Sequence, residues 1–255
     1  MLNGKLVLFN CRIVKDMGKR YIAIGDVHGQ HRLLHQAISD LDDGNTFFIL
    51  LGDLNDARLR GKAQDESSSL ECIRTAMNLM ERGVGVTLQS NHGVYLYRAL
   101  LGGESLPYST TGLSHTLQEM KPLSSEEQKR IGLWLVNLPY YWTVTTDIPL
   151  HQATIDWYAV HGMYIPGMDQ HKPNAEGMQA SVYGRDASGK RYKFWEMDEY
   201  KDSLPENTYT VSGHYHKVIK GPPCYLIDDN CGNGGPLMGL CLNDLAEYRW
   251  SEPIT

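Results

Sequence analysis

Short apolar runs alternate with amphipathic segments along this 255-residue chain. Six of the runs have the length and the β-branched and aromatic content that are typical of buried strands. In chain order they read RYIAIGD, TFFILLGD, VGVTLQSNH, DWYAVHG, TYTVSGH and CYLIDDN, and they begin at residues 20, 46, 84, 156, 208 and 224. The first five end in, or just before, an Asp, Asn or His, usually with a Gly or Ser beside it. The pattern therefore predicts strands whose carboxyl ends carry polar side chains.

Helical periodicity fills the intervals between the early strands. HRLLHQAISDL (31–41) follows the first run, and SSSLECIRTAMNLMERG (67–83) places its apolar residues on one face before it stops at Gly83. A third helix begins with a capping-box pattern, Ser124 followed by Glu127. Strands that alternate with helices predict an α/β fold, and sheets of this kind bind ligands at the carboxyl ends of their strands.

The chain contains no internal repeat, low-complexity tract or linker. Its length is well within the range of a single hydrophobic core, so we expect one domain over residues 1–255. We interpret 102–140 as a helical and loop insert near the active site. The stretch 166–191 is rich in Gly, Pro and polar residues, and we expect it to form another active-site loop.

Composition and charge narrow the function classes. The hydrophobic content of 42% and charged content of 21% describe an ordinary globular protein. The formal net charge of -6 argues against an extended nucleic-acid surface, although it is compatible with a compact positive site. Five scattered cysteines without a CxxC pair favour reduced thiols, and neither a signal-peptide pattern nor a membrane-length apolar run is present. We therefore expect a cytoplasmic protein with no membrane partner.

Aspartate, asparagine and histidine recur at the ends of the predicted strands. The residues are Asp26 and His28, Asp53, Asn91 and His92, His161, and His214 and His216. In an extended segment, residues i and i+2 point to the same side, so Asp26 and His28 are expected to converge on one object. A single Asp or His at a strand end is more often a cap or turn residue. Five such segments in order are hard to explain in that way, and a metal ion is the first candidate.

The order and spacing of these segments resemble the calcineurin-like metallophosphoesterases, and more narrowly their phosphoprotein-phosphatase branch. The family pattern is GDxHG, GDxxDRG, GNHE, HG and GH, and the resemblance covers about residues 20–245. It is closest to the phosphatase module of bacterial polynucleotide kinase-phosphatases and to small bacterial and phage phosphatases. The segments NHGVYLYRALLG, TTGLSHTLQEM, VYGRDASGKRYKFW and YLIDDNCGNGGPLMGLCLND are similar to segments of that branch.

The resemblance implies an αββα sandwich of two mixed β-sheets with flanking helices, and a binuclear metal centre. Seven side chains match the family's ligands: Asp26, His28 and His216 on one ion, Asn91, His161 and His214 on the other, and Asp53 bridging both. Oxygen and imidazole ligands without thiolate suit Mn, Fe, Zn or Ni better than Ca or Mg. We expect two divalent ions, with manganese as the first choice.

The resemblance also implies catalytic roles. A pair of metal ions activates a water molecule for in-line attack on phosphorus. His92, beside Asn91, matches the family's general acid, which protonates the leaving group. Asp56 matches the second Asp of GDxxD, which orients that imidazole and keeps it protonated.

The second motif departs from the family pattern, since it reads GDLNDARLRG. Ala57 occupies the place of the Arg that clamps the phosphate, and Arg58 comes one residue late. We expect Arg58 to reach the phosphate and to act in catalysis and substrate binding. Arg60 and Arg185 are the alternatives, and Arg185 is retained as a second substrate-binding residue.

Two further motifs also differ. In SNHG, Ser90 replaces the family Gly and Gly93 replaces the Glu, which removes a carboxylate near His92 but leaves all seven ligands in place. In GHYH, His216 adds a histidine that phosphoprotein phosphatases generally lack and other calcineurin-like enzymes have. This addition favours a wider substrate range that includes diesters.

These features predict a metal-dependent phosphoesterase, first of all a phosphomonoesterase. Its substrate is expected to be a phosphorylated small molecule, a nucleotide or RNA end (a 3′-phosphate or 2′,3′-cyclic phosphate), or a phosphoprotein. Hydrolysis of diadenosine polyphosphates is an alternative within the same class. A non-catalytic binding module on the same scaffold is the alternative from a different class, and the seven intact ligands argue against it.

Overall fold

The computed structural model describes residues 14–15, 18–57, 67–103, 111–186 and 188–251. The strands of this part are β1 (Val14–Lys15), β2 (Arg20–Ile24), β3 (Thr46–Leu50), β4 (Gly85–Thr87), β5 (Tyr141–Ile148), β6 (Ala153–Val160), β7 (Thr208–Ser212), β8 (Val218–Ile219), β9 (Cys224–Ile227), β10 (Leu237–Cys241) and β11 (Glu247–Trp250). The α-helices are α1 (His31–Leu41), α2 (Ser69–Glu81), α3 (Asn91–Leu100), α4 (Thr111–Met120), α5 (Ser125–Val136), α6 (Ala175–Tyr183) and α7 (Asp198–Ser203). All six predicted strands and the three predicted helices are confirmed.

The strands form two mixed sheets. One has the order β1-β5-β6-β7-β9-β8, and the other has the order β11-β10-β2-β3-β4. In the second sheet β2, β3 and β4 are parallel, and β10 and β11 are antiparallel to their neighbours. In the first sheet β6, β7 and β9 are parallel, β5 is parallel to β1 and antiparallel to β6, and β8 is antiparallel to β9.

Strand β2 shows how the layers are stacked. Tyr21 and Ala23 face the other sheet and pack in a central core with Trp157, whereas Ile22 and Ile24 face outward and pack under the helices. Side chains alternate between the two faces of a strand, so a strand buried on both sides reads as a continuous apolar run. A third apolar cluster lies under α6 and α7 on the outer face of the first sheet. The expected αββα sandwich of two mixed sheets is confirmed.

Serine side chains begin several of the helices. The Ser124 hydroxyl accepts from the Glu127 N–H at 3.2 Å, as the capping box predicts. The Glu127 carboxylate pairs with Arg74 at 3.2 Å. The predicted capping box is therefore confirmed for its first half, the Ser124 cap. Ser90 caps α3 in the same manner, through the Gly93 N–H.

The parallel strands of both sheets end at the same edge of the sandwich. The Leu51 carbonyl after β3 accepts from the His161 ring after β6, at 3.0 Å. The His214 N–H after β7 donates to both carboxylate oxygens of Asp26 after β2, at 3.1 Å each. Loops from the two sheets therefore contact each other at the edge where the sequence predicts the site.

Two further observations concern the sequence-based expectations. Cys72, Cys224, Cys231 and Cys241 are buried free thiols, and Cys11 lies outside the described residues. Within the described ranges, every helix is too short or too polar to cross a lipid bilayer.

Candidate metal centre

The loops that carry the site residues turn through the left-handed backbone region. His28, Asp53 and His214 have φ values of +47°, +44° and +68°. L-residues adopt this conformation rarely, and it concentrates at functional sites. Asp26 and His28 do meet, with Oδ2 and Nε2 4.0 Å apart. The premise that an extended segment brings them together is wrong, because β2 ends at Ile24 and a turn directs the His28 ring inward.

Two glycines allow the loops to approach closely. A Cβ on Gly213 would lie 2.0 Å from Asp26 Oδ1, in the position that lets the following N–H reach the carboxylate. Gly52 has a φ of +117°, and a Cβ there would lie 2.6 Å from Ser90 Cβ. Because Gly52 has no side chain, there is room for the Ser90 hydroxyl, which accepts from the Asp53 N–H at 2.9 Å. The serine that replaces the family glycine thus positions the Asp53 loop.

Three polar atoms converge at the carboxyl ends of β4, β6 and β7. Asn91 Oδ1 lies 2.9 Å from His161 Nε2 and 3.1 Å from His214 Nδ1, and the two ring nitrogens are 3.1 Å apart. His161 Nδ1–H donates to the Leu51 carbonyl, and His214 Nε2–H donates to the Tyr183 carbonyl at 3.0 Å. These bonds leave a lone pair on each inner nitrogen. Three acceptors that face one another fit a bound cation.

A second group surrounds the other side of Asp53. His28 Nε2 and His92 Nε2 lie 3.6 Å and 3.9 Å from Asp53 Oδ2. His28 Nδ1–H faces the carbonyls of Asn55 and Asp56 at 3.1 Å and 3.2 Å, so its Nε2 is turned toward the carboxylate. Among the described residues, two His/Asp groups have metal-ligating geometry: His28 with Asp53 and His92, and Asp53 with His161 and His214. Asp53 is the member that they share.

Burial and charge keep these groups in their ligand forms. Burial lowers the pKa of His161 and lowers that of His214 well below its usual range, so both imidazoles are neutral near pH 7. Burial alone would raise the pKa of Asp53, but the imidazoles of His161 and His92 outweigh it and lower the value. An ionised carboxylate among neutral imidazoles is a donor set that suits Mn, Fe, Zn or Ni.

His92 and Asp56 form a buried pair beside the two groups. His92 Nδ1 lies 2.5 Å from Asp56 Oδ2, and Asp56 Oδ1 accepts from the Thr116 hydroxyl at 3.0 Å and from Asn55 Nδ2 at 2.9 Å. Thr116 belongs to α4, so part of the predicted insert 102–140 contacts the site; residues 104–110 of this insert lie outside the described part. The Nε2 atom of His92 is left pointing toward Asp53.

His216 lines the same pocket but belongs to neither of the two His/Asp groups. Its φ is +52°, its side chain is 34% exposed, and its Nδ1 lies 3.4 Å from Asp228 Oδ2. Asp228 also accepts from the His216 N–H at 2.7 Å. His214 and His216 both have left-handed backbones, so the segment GHYH that carries them is not extended.

Of the three arginines that were expected to contact the phosphate, only Arg185 belongs to the described part of the chain. Arg58 and Arg60 lie outside the described part of the chain. Ala57 is 1% exposed, and a Cβ on Gly29 would lie 3.1 Å from its Cβ, so the tight packing there leaves little space for a longer side chain. Arg185 does reach the pocket, on a short hairpin in which it pairs with Arg191.

Arg191 is a pocket residue that the sequence analysis missed. It lines a cavity of about 210 Å³ together with Asp53, Asn91 and His214. Its guanidinium donates to the His214 carbonyl at 3.2 Å and lies 5.3 Å from the centre of the Tyr215 ring. The only signal in the sequence was its place in the segment VYGRDASGKRYKFW.

Ser90, Thr116 and Asp228 were also missed as supporting residues. Asp228 follows β9 in CYLIDDN, the sixth predicted strand, which was not counted among the strands with polar ends. Ser90 was noted only as a departure from the family motif, and Thr116 only as part of the segment TTGLSHTLQEM, which is similar to a segment of the family. Their contacts join residues far apart in the chain, which local patterns do not predict.

Comparison with protein-family models finds no match, and comparison with curated protein sequences finds none either. Solved structures are similar over nearly the whole chain. A protein assigned as a diadenosine tetraphosphatase has a TM-score of 0.63 at 14% identity, over 95% of this chain and 97% of the other. A Ser/Thr phosphatase from Saccharomyces cerevisiae, similar to human phosphatase PP5, has a TM-score of 0.58 at 12% identity, over 94% and 83%. A hypothetical protein from Pyrococcus horikoshii OT3 has a TM-score of 0.57 at 9% identity, over 91% and 87%. At these identities the likeness shows the fold alone.

Proposed function

We propose that this protein is a binuclear-metal-dependent phosphoesterase that hydrolyses phosphomonoesters. The observation that carries the proposal is the position of Asp53 between two groups of imidazoles, one with His28 and His92 and the other with His161 and His214. A carboxylate shared by two ligand groups is the arrangement that a pair of divalent ions requires. Manganese is our first choice of metal, and Fe, Zn and Ni fit the same ligands.

Metal ions bound there would acidify a water molecule for attack and neutralise charge on the phosphoryl oxygens. The chain itself supplies the proton for the leaving group. Asp56 orients the His92 ring through the contact with Nδ1. The Nε2 atom is then directed toward Asp53, where it donates a proton to the departing oxygen. In this assignment His92 is the general acid, and Asp26 and Asn91 complete the ligand set that His28, Asp53, His161 and His214 begin.

The hairpin that carries Arg185 and Arg191 supplies the phosphate contacts. Both arginines line the pocket with Asp53 and His214, and the guanidinium of Arg191 is held by the Tyr215 ring and the His214 carbonyl. A guanidinium fork matches the geometry of phosphate oxygens. Arg191 therefore takes the clamping role that Ala57 cannot perform, and Arg185 adds a second positive charge.

Phosphomonoesters are the proposed principal substrates because two arginines line the pocket and can bind a terminal phosphate, and the proposed general acid His92 lies beside Asp53, which also lines it. His216 lies on the wall of the pocket, so diesters and 2′,3′-cyclic phosphates form a second class to be assayed. Similar structures include proteins assigned as a diadenosine tetraphosphatase and a Ser/Thr phosphatase, so nucleotide and phosphoprotein substrates both belong in the test. The buried free thiols support a reducing compartment, and we propose the cytoplasm.

The test begins with protein that has been stripped of metal by a chelator. Mn, Fe, Zn and Ni are added back singly, the bound metal is counted by mass spectrometry, and hydrolysis of p-nitrophenyl phosphate and bis(p-nitrophenyl) phosphate is measured. We expect two metal ions per chain and faster hydrolysis of the monoester. Metal-loaded protein that is inert on both esters would instead establish the binding-module alternative.

A further inference from the structure

A second cavity adjoins the proposed phosphate pocket. It has a volume of about 250 Å³ and lies between α6, the hairpin of residues 184–192 and α7. Arg185 lines both cavities, so they are adjacent. A substrate whose phosphate occupies the first cavity can therefore place a neighbouring group in the second.

The wall of this second cavity is apolar. Met163, Ile165, Tyr192 and Met197 contribute apolar side chains to it. Thioether and aromatic side chains contact flexible aliphatic groups well. The volume fits one long side chain, and it is below the usual range of about 300–1,000 Å³ for small-molecule pockets.

The lining also carries three carboxylates. Glu176 and Glu199 are exposed, and neither forms an ion pair with any residue of the described ranges. Asp186 is held by the Ser188 N–H and hydroxyl, at 2.9 Å and 2.6 Å. Against these three acids stands one cation, Arg185, so the cavity is net negative. It repels a second phosphate and attracts a positive charge.

We infer that this cavity binds the arginine or lysine side chain of a phosphopeptide, close in sequence to the phosphorylated residue. The aliphatic stem of that side chain packs against Met197 and Tyr192, and its charged end lies between Glu176 and Glu199. The inference rests on the proposed function, because the phosphate of the same peptide occupies the metal pocket. It names phosphoproteins with basic residues near the phosphate as the substrate class.

The test uses phosphoserine peptides in which one arginine is placed in turn at each of the three positions on either side of the phosphoserine. A matched set has glutamine in place of arginine. We expect kcat/KM to be higher for the arginine peptide at one or two positions, by about fivefold, since a partly exposed ion pair has this magnitude. The preference should shrink in high salt.

Variants locate the preference in the cavity. Glu199→Gln and Glu176→Gln should each reduce the arginine preference, and Glu199→Lys should reverse it in favour of peptides with glutamate at the same position. Glu206→Gln is the matched control, because Glu206 is exposed and is not among the residues that line the cavity. Its preference should equal that of the unchanged protein.

Failure of this inference differs from failure of the proposed function. Hydrolysis of p-nitrophenyl phosphate together with equal kcat/KM for the two peptide sets would overturn the inference and leave the phosphoesterase proposal standing. Faster hydrolysis of nucleoside monophosphates than of any arginine peptide would overturn it in favour of a nucleobase as the occupant. If p-nitrophenyl phosphate is not hydrolysed, anisotropy of fluorescently labelled arginine and glutamine peptides decides: tighter binding of the arginine peptide that Glu199→Gln removes supports the site, and equal binding overturns it.

Discussion

His92 Nδ1 lies 2.5 Å from Asp56 Oδ2, and both side chains are buried. A hydrogen bond between this imidazole and the carboxylate fixes the orientation of the ring. The opposite nitrogen, Nε2, is directed toward Asp53, 3.9 Å away. The pair therefore places a proton donor next to the residues that we assign to the metal centre.

Replacement of this donor should depend on the leaving group. We expect His92→Ala to slow hydrolysis of an alkyl phosphate by about 10²–10⁴-fold, the usual contribution of a general acid. The loss should be much smaller for p-nitrophenyl phosphate, because p-nitrophenolate leaves without a proton. Parallel measurement of kcat for both substrates checks this.

The metal content of the His92→Ala protein distinguishes a proton donor from a ligand. We expect it to match that of the unchanged protein, with His35→Ala as the control for loss of a surface imidazole. Loss of one metal ion in His92→Ala would show that His92 ligates metal, as its place beside His28 and Asp53 also allows.

Asp53→Asn should remove bound metal and reduce turnover to background. The carboxylate is the member common to both ligand groups, and an amide carries no charge to offset two cations. Metal analysis and p-nitrophenyl phosphate hydrolysis measure the two effects. Asp202→Asn, an exposed aspartate on α7, controls for the change of charge. A fully loaded Asp53→Asn protein would contradict the assignment.

Thr116→Val tests the support behind Asp56. The Thr116 hydroxyl donates to Asp56 Oδ1 at 3.0 Å and accepts from the Asp56 N–H at 3.1 Å, in a fully buried position. Valine has the same shape but no hydroxyl, so the free energy of unfolding should fall by about 1–3 kcal/mol. Urea denaturation measures this loss, and the exposed Thr154→Val should show almost none. Equal stabilities of the two variants would exclude a structural role for this contact.

Arg191→Ala should weaken phosphate binding more than it slows the chemical step. A charged hydrogen bond contributes about 1.5–3 kcal/mol, so the inhibition constant of inorganic phosphate should rise by about tenfold or more. Arg191→Lys should restore only part of the affinity, because lysine lacks the planar fork. The control is Arg74→Ala, which removes an exposed ion pair far from the pocket. An unchanged constant in Arg191→Ala would leave Arg185 as the clamp.

Metal-free protein should lose stability as the pH falls below about 6.5, the ordinary pKa of histidine. Burial lowers the pKa of His161 and His214 in the folded chain, so in this range only the unfolded chain takes up their protons. The free energy of unfolding therefore decreases on acidification, by at most about 1.4 kcal/mol per pH unit for each histidine. Urea midpoints at pH 7.5 and 5.5 measure the slope. His161→Gln and His214→Gln should each make the slope shallower. If neither substitution changes the slope, the two histidines are not its cause.

Much of the site could be predicted because its residues sit where local patterns end. The apolar runs before Asp26 and Asp53 are buried on both faces of one sheet, and such runs are readable without tertiary information. The parallel order of β2, β3 and β4 brings their carboxyl ends together. The sequence patterns therefore determined the α/β class and the edge at which the polar side chains would gather, while the sandwich of two sheets was expected from the family resemblance.

Only the tertiary structure decided how each side chain is directed. His28 lies in a left-handed turn, which non-glycine residues adopt rarely, so the alternation of an extended segment that was expected for Asp26 and His28 does not apply to it. Asp228 lies 3.4 Å from the Nδ1 atom of His216, and the hairpin that pairs Arg185 with Arg191 brings the Arg191 guanidinium to the pocket. These outcomes depend on contacts between loops and on the turns within them. Local hydrophobic patterns carry no information about such contacts, because they record burial and not direction.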